Sequence, residues 1–178
     1  MPHPLIDLAQ QLDPSATLTY SPPRITSSNG ATYYAKLGST SEQPQYTAEI
    51  ASLNAIQDAA PGLAPSILLS GTLEGTDQPY MISEYKHLSN LTDSSARRLA
   101  TRLATELHQH TSDKGFGFDV PTFCGPTRQE NGWYETWKEC FDHLIGGLLD
   151  GLRKKGYPDL YEKGERVRDM YVSLHRSL

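Results

Sequence analysis

Two residues of opposite charge, Lys36 and Glu49, are placed by type and spacing to act together. Lys36 lies in ATYYAKL (Ala31–Leu37). There Thr32, Tyr34 and Lys36 fall on one face and Tyr33, Ala35 and Leu37 on the other, the alternation of a half-buried strand. Glu49 lies in TAEIASLNAI, predicted to be a helix opening near Gln45. Ile50, Leu53 and Ile56 recur there at three-residue spacing, with Ala51 and Ala55 beside them. A short Gly/Ser/Gln/Pro loop joins the two segments, so residues thirteen apart in sequence can meet face to face. An ammonium steered by a carboxylate from the next element can hold phosphate oxygens, because it offers several donors on one point charge. Taken singly, each residue is more often a solvated surface charge. The surrounding elements decide between the two readings.

Those elements read as a small β-rich lobe followed by helices. Residues 3–12 suggest a short helix with Leu5, Leu8 and Leu12 on one side, stopped by Asp13-Pro14. Short strands follow at Thr17–Tyr20, Arg24–Ser27 and Ala31–Leu37, with Asn29-Gly30 as a two-residue hairpin signal and Pro22-Pro23 at an edge or break. After the Glu49 helix, Pro61-Gly62 breaks the chain. SILLSGTL and PYMISEY then give two more strands around a turn at Gly75–Asp77. A hairpin feeding a lysine strand, followed by a glutamate helix, is the arrangement by which kinase-like folds present an ammonium to the α/β-phosphates of ATP.

Asn90–Asp93 starts a long helix, SSARRLATRLATELHQH, in which Ala96, Leu99, Leu103 and Leu107 form the apolar face. Residues 113–131, rich in Gly and Pro, read as a long loop of the kind that is functional when ordered. A helix resumes at Gly132 with Trp133, Trp137, Cys140, Phe141 and Leu144 on one face, and ends at Gly156-Tyr157-Pro158. A last amphipathic helix carries Leu160, Val167, Met170, Tyr171 and Leu174. The fold class is therefore α+β: a five-stranded antiparallel small lobe with one inserted helix over residues 1–86, and the first helices of a helical lobe over residues 87–178.

Composition removes several function classes. The chain of 178 residues has a net charge of −5 and no basic stripe, which argues against a nucleic-acid partner. No apolar run is long enough to span a bilayer and the N-terminus lacks a signal pattern, so no membrane partner and a cytoplasmic location are expected. Two cysteines, Cys124 and Cys140, make no disulfide framework, and Cys124 is expected to be a buried structural thiol. Cys140 and His143 stand one helical turn apart, but no second pair among His108, His110 and Cys124 has metal-ligand spacing, so no metal site is expected. No nucleophile elbow supports a serine hydrolase. Trp133 and Trp137 suggest either core packing or a sugar-stacking pair.

The loop motif goes further than periodicity does. Phe116-Gly117-Phe118, Pro121-Thr122-Phe123-Cys124-Gly125, and Asn131 with Trp133 and Trp137 resemble, in order, the signature of the fructosamine-3-kinase (ketosamine, or protein-ribulosamine, 3-kinase) family. YYAKLG, YTAEIASLNAI, PYMISEYKHL and LATELHQH resemble that family's lysine strand, glutamate helix, hinge and Leu-His helix. The resemblance implies a protein-kinase-like fold and ATP-dependent phosphorylation of the sugar 3-hydroxyl of ketosamines. The substrates would be glycated proteins or free ketosamines, with ATP and Mg2+ as cofactors. It implies that Lys36 holds the phosphates, that Glu49 orients Lys36, and that the backbone of Glu84, Tyr85 and Lys86 meets adenine. Trp133 is the acceptor-side candidate.

The chain departs from the family pattern twice. The phosphate-covering turn of the family is glycine-rich, whereas Ser15–Ser28 contains no glycine. No His-Gly-Asp, Asp-Phe-Gly or Asp-Pro-Ala occurs, so the resemblance places the catalytic base and metal ligands beyond Leu178 and leaves no catalytic residue here. A chain truncated in this way is expected to show little or no kinase activity alone, and to self-associate through uncovered large-lobe surface. The competing expectation is a non-catalytic, pseudokinase-like nucleotide-binding or interaction module.

Overall fold

The computed structural model describes residues 3–174, with side chains described as far as Tyr171, so the side chain of Leu174 lies outside the described residues. The chain divides into two compact units, one ending at His110 and the other beginning at Thr111.

The first unit is built on β1 (Leu18–Ser21), β2 (Arg24–Ser27), β3 (Thr32–Leu37), β4 (Ile67–Thr72) and β5 (Pro79–Glu84). They form one antiparallel sheet in the order β1-β2-β3-β5-β4, which puts the Lys36 strand at its centre. One face of the sheet is sealed by α1 (Pro4–Ala9): Leu5, Ala9, Ile25, Ala35 and Ile82 are fully buried, with Tyr33 and Leu37 packed beside them. The alternation in β3 therefore turns Tyr34 and Lys36 to the opposite face, where α2 (Gln43–Ala59) lies.

Three details differ from the sequence reading, each for a local reason. The β2–β3 turn has three residues rather than two, with Ser27 N–H on Ala31 O and Gly30 N–H on Ser27 O. Only Gly30 takes a positive φ, of 93°. Asn29 instead donates its amide to the buried Asp13 carboxylate and accepts from Ala31 N–H at 2.9 Å, which a two-residue turn would forbid. Helix α2 starts at Gln43, directly after a tighter turn (Thr40–Glu42) that a capping box of Ser39 and Glu42 opens. Its stripe of Ile50, Leu53 and Ile56 is half-buried, and Tyr46 and Ala48 are its buried residues.

The first unit closes with α3 (Asp93–Thr105), capped by Thr92 through Ser95 N–H. The helix stops before His110, where Leu107–Gln109 form a tighter turn. Arg102 pairs with Glu106 and donates to Pro61 O at 2.8 Å, fastening α3 to the end of the α2 segment.

In the second unit the expected loop is structured. It holds β6 (Phe116–Gly117) paired with β9 (Trp133–Tyr134), and β7 (Thr122–Cys124) paired with β8 (Thr127–Gln129). Gly117 has φ 153° and a Cβ there would overlap the Gly132 carbonyl, so this position of the motif admits only glycine. Asn131 donates its side-chain amide to Val120 O at 2.8 Å and Thr122 Oγ1 at 3.1 Å, tying the segment together. Helix α4 (Trp137–Lys154) begins five residues after the expected Gly132, since Thr136 and Glu139 form its capping box. Helix α5 (Pro158–Leu174) packs on it where Gly164 meets Leu149, and Arg168 clasps Asp142 through two hydrogen bonds of 2.7 and 3.0 Å. The cysteine expectation is corrected: Cys124 is exposed beside the β7–β8 turn, and Cys140 is the buried one, its thiol pushed up by burial. Among the described residues no helix is long and apolar enough to cross a membrane.

Candidate functional site

The site is assembled on the face of the first unit's sheet that α2 covers. Lys36 points from the middle of β3, and its ammonium is bound by the Glu49 carboxylate one and a half turns into α2. The side chains are 25% and 42% exposed, so the pair sits at the edge of a cleft rather than in the core. A second α2 residue completes the setting. The ring of Tyr46, one turn before Glu49, lies 4.6 Å from the ammonium and presents its negative face to it. Tyr46 is buried, and its hydroxyl is pushed up to about 12, first by burial and then by the charges of Glu42 and Glu49. Sequence reading passed over Tyr46, although its place three residues before Glu49 puts both on one helix face.

Gly38 explains why the ring can lie there. A Cβ at Gly38 would come within 2.7 Å of the Tyr46 ring and 3.1 Å of Pro79, so the chain leaves β3 through a gap only glycine fits.

Beside this pair runs a cleft of about 630 Å³. Tyr34, Met81 and Ser83 supply its floor from the sheet, Glu49 and Leu53 come from α2, and Leu63 and Pro65 from the segment that follows. It ends at Glu84, Tyr85, Lys86 and Leu88, where β5 runs out. Glu84 N–H is still paired, to Ser66 O. Among the described residues, the Tyr85 and Lys86 backbone groups have no backbone partner. Lys86 pairs with Glu84 at 2.6 Å, and that hydrogen bond holds the Glu84 carboxyl below the usual carboxylate range. The expected residues Lys36, Glu49, Glu84, Tyr85 and Lys86 thus gather on one side of the first unit.

The arrangement offers an apolar slot for a planar ring, free backbone donors and acceptors at one end, and an oriented ammonium with unused donor capacity. These suit a nucleotide. Among the described residues no three His, Cys, Asp or Glu side chains gather to hold a metal ion. The β1–β2 turn has no amide hydrogens at Pro22 and Pro23, so its two central residues donate nothing to an anion.

Trp133 lies in the second unit, on β9. Its indole N–H donates to Asp119 at 2.9 Å, and Lys114 sits 5.2 Å from its ring. Trp137 opens α4 and packs on Phe116 and Phe141, so the two tryptophans do not share a helix face. A cleft of about 740 Å³ in the second unit is lined by charged residues already paired with one another, among them Arg128 with Glu130 and Arg168 with Asp142.

Against known proteins, the sequence profile described as fructosamine kinase matches residues 20–176. A probable ketoamine kinase of Vibrio cholerae is 28% identical over 126 residues, 70% of this chain and 43% of that protein. A chloroplastic protein-ribulosamine 3-kinase of Oryza sativa is 38% identical over 78 residues, 42% of this chain and 22% of that protein. The chain therefore spans less than half the length of the curated relatives it matches. Two crystal structures assigned to fructosamine-3-kinases share the fold. That from Thermobifida fusca has a TM-score of 0.70 at 18% identity, covering 93% of this chain and 60% of its own. That from Haemophilus somnus has a TM-score of 0.65 at 24% identity, covering 84% and 53%. The five-stranded sheet with its inserted helix is accordingly the small-lobe architecture of a kinase-like fold, and the chain belongs to the fructosamine kinase family.

Proposed function

We propose that this chain forms the nucleotide-binding side of a ketosamine 3-kinase, an enzyme that uses ATP to phosphorylate the 3-hydroxyl of sugars attached to protein lysines. The observation that carries this reading is the Lys36 ammonium, fixed between the Glu49 carboxylate and the Tyr46 ring beside an apolar cleft. Lys36 would hold the α/β-phosphates while Glu49 keeps it extended from the strand. The free backbone at Tyr85 and Lys86 would meet the adenine edge. Bound ATP supplies the phosphoryl group, and magnesium would be held by groups outside these residues. What the chain contributes is position and charge, which is most of what phosphoryl transfer asks of a protein.

The acceptor is taken from the relatives named ketoamine kinase and protein-ribulosamine 3-kinase. Glycated proteins or free ketosamines are the substrates in this reading, Trp133 is its acceptor-side residue, and the cytoplasm is its setting. In this reading residues 1–86 are the small lobe and residues 87–178 the beginning of the large one. Exposed Leu148, Leu160, Val167 and Met170 support self-association of the isolated chain.

A second reading is a nucleotide-binding module without catalysis. Both readings require nucleotide binding, so that is tested first. Mg-ATP should raise the melting temperature progressively, since a ligand that binds only the folded chain stabilises it by about 2.7 kcal/mol at a hundredfold excess over Kd. Lys36→Ala should remove most of the shift. Absence of a shift at millimolar nucleotide, or an equal shift in Lys36→Ala, would refute the assignment. Phosphorylation of a fructosyl-lysine peptide by the same chain then separates kinase from module.

A further inference from the structure

The β1–β2 turn stands over the end of the lysine strand, yet it carries no amide donor at its centre. Ser21 pairs with Arg24 across a two-residue turn made of Pro22 and Pro23. Pro23 lines the cleft, and its carbonyl accepts Ala35 N–H at 2.8 Å, one residue before Lys36. An anion resting on Lys36 therefore lies next to a turn whose two central residues have no N–H. The nearest donor beyond the prolines belongs to Arg24.

The register sets where Arg24 points. Ile25 is fully buried toward α1, so its neighbour Arg24 faces the other side of the sheet. Arg24 is directly opposite Tyr34, which lines the cleft, and diagonal to Lys36 on the same face. Diagonal neighbours of this kind lie about 7–8 Å apart at their Cβ atoms, within reach of long side chains. The other cations of this face are engaged: Lys36 with Glu49 and Lys86 with Glu84. Arg24 is exposed and, among the described residues, has no carboxylate partner. An unpaired guanidinium opposite Tyr34, beside a turn that cannot donate, has all five N–H groups to offer.

We propose that Arg24 is a phosphate-contacting residue. Its guanidinium takes over the role that turn amides would play and, with Lys36, grips the polyphosphate of a nucleoside triphosphate. The proposal rests on the nucleotide reading above and adds to it a second cation, from a different strand, that reads the phosphates and not the base. Guanidinium matches phosphate bidentately, whereas an ammonium acts as a point charge, so the two are complementary and not redundant.

The test is calorimetric titration of the 178-residue chain with adenosine and with ATP, for wild type, Arg24→Gln, Arg24→Lys and Lys36→Ala. Arg24→Gln should weaken ATP about tenfold, as expected for loss of a charge-assisted contact, and leave adenosine unchanged. Arg24→Lys should recover part of that loss. Added salt should weaken ATP binding more in wild type than in Arg24→Gln, because one screened charge pair is already gone. Unliganded melting temperatures of wild type and both Arg24 variants should coincide, since the side chain has no partner to lose. If Arg24→Gln binds ATP as wild type does while Lys36→Ala does not, the Arg24 assignment fails and the nucleotide reading stands. Equal losses for adenosine and ATP would also overturn it, by showing an effect through the fold. If wild type binds neither ligand, the nucleotide reading fails and takes this one with it.

Discussion

Among the described residues each unit has one long-range ion pair that fastens a helix, and the two differ in how the cation is surrounded. In the first unit Lys36 of β3 binds Glu49 of α2; in the second Arg168 of α5 binds Asp142 of α4. The exposures are alike, 25% and 42% against 30% and 41%. The donor inventories are not. Arg168 gives Nε and Nη2 to the two Asp142 oxygens and sets Nη1 3.6 Å from Glu165. Both carboxylates close on it, so it is held well above the ordinary guanidinium range and Asp142 below the carboxylate range. Lys36 spends one donor on Glu49 and turns one side to the Tyr46 ring, which leaves capacity for an incoming anion. The fastening arginine has a carboxylate on either side of it, whereas the lysine is bonded to one. A cation with one bonded carboxylate, set beside an apolar cleft, marks the functional couple more than the presence of a salt bridge does.

The glycines near the two couples give the sharpest way to break this contrast. Gly38→Ala places a Cβ 2.7 Å from the Tyr46 ring, with Pro79 closing the other side at 3.1 Å. Overpacking of this kind costs about 1–3 kcal/mol, and any relief moves the ring off Lys36, so nucleotide affinity should fall together with stability. Gly146, in mid-α4, is the counterpart. Its Cβ would make ordinary contact with the Arg168 guanidinium at 3.5 Å, so Gly146→Ala should raise stability by about 1 kcal/mol through helix propensity. Urea unfolding of both variants, with ATP titration, reads all of these effects. A neutral Gly38→Ala would mean that the Tyr46 ring is not fixed against the lysine.

Replacing the cations themselves comes next in size. Arg168→Met should cost about 1 kcal/mol of stability, the scale of a half-exposed bidentate pair, and leave ATP binding as it was. Lys36→Met should do the reverse, with nucleotide binding falling at least about tenfold and the unfolding midpoint moving little. If both variants lose stability and neither loses ATP, the lysine is a fastener too, and the difference between the couples is only one of geometry.

Legibility in the sequence followed the same division. The strands, the α2 insertion and the Lys36–Glu49 meeting were readable because period-2 alternation in Ala31–Leu37 and the spacing in TAEIASLNAI are local signals. Helix starts were misplaced where the capping box was passed over: Ser39 with Glu42 ahead of α2, and Thr136 with Glu139 ahead of α4. The second error put Trp133 on a helix, whereas it lies on a two-residue strand too short to show any periodicity. Tyr46 and Arg24 were missed for another reason. The significance of Arg24 depends on cross-strand register, which residue spacing does not carry; the spacing of Tyr46 from Glu49 gives a shared helix face but not that the ring turns to Lys36. Cys124 was expected inside, but a cysteine beside Gly125-Pro126 sits at a hairpin tip, where burial has no partner.

The smallest effect is in alkali, and it tests whether the Tyr46 phenol is held buried in the fold. Its hydroxyl ordinarily ionises near 10.0 and is pushed up to about 12 in the fold. A group whose folded pKa is raised gives stability that is complete below its unfolded pKa and lost as pH climbs toward the folded one, because the unfolded chain ionises first. Stability of the first unit should therefore decline between pH 10.0 and about 12. Tyr20 and Tyr33, both raised by burial, add to the decline, so Tyr46→Phe should flatten part of it and not all. Cys140 in α4 is also raised by burial, and its own alkaline loss should be indifferent to Tyr46→Phe. Denaturation midpoints across this window, followed at the first unit's sheet and at α4 by hydrogen exchange, separate the two contributions. Parallel declines in wild type and Tyr46→Phe would show that the Tyr46 phenol is not the group being ionised, and its burial against α2's neighbours would lose its support.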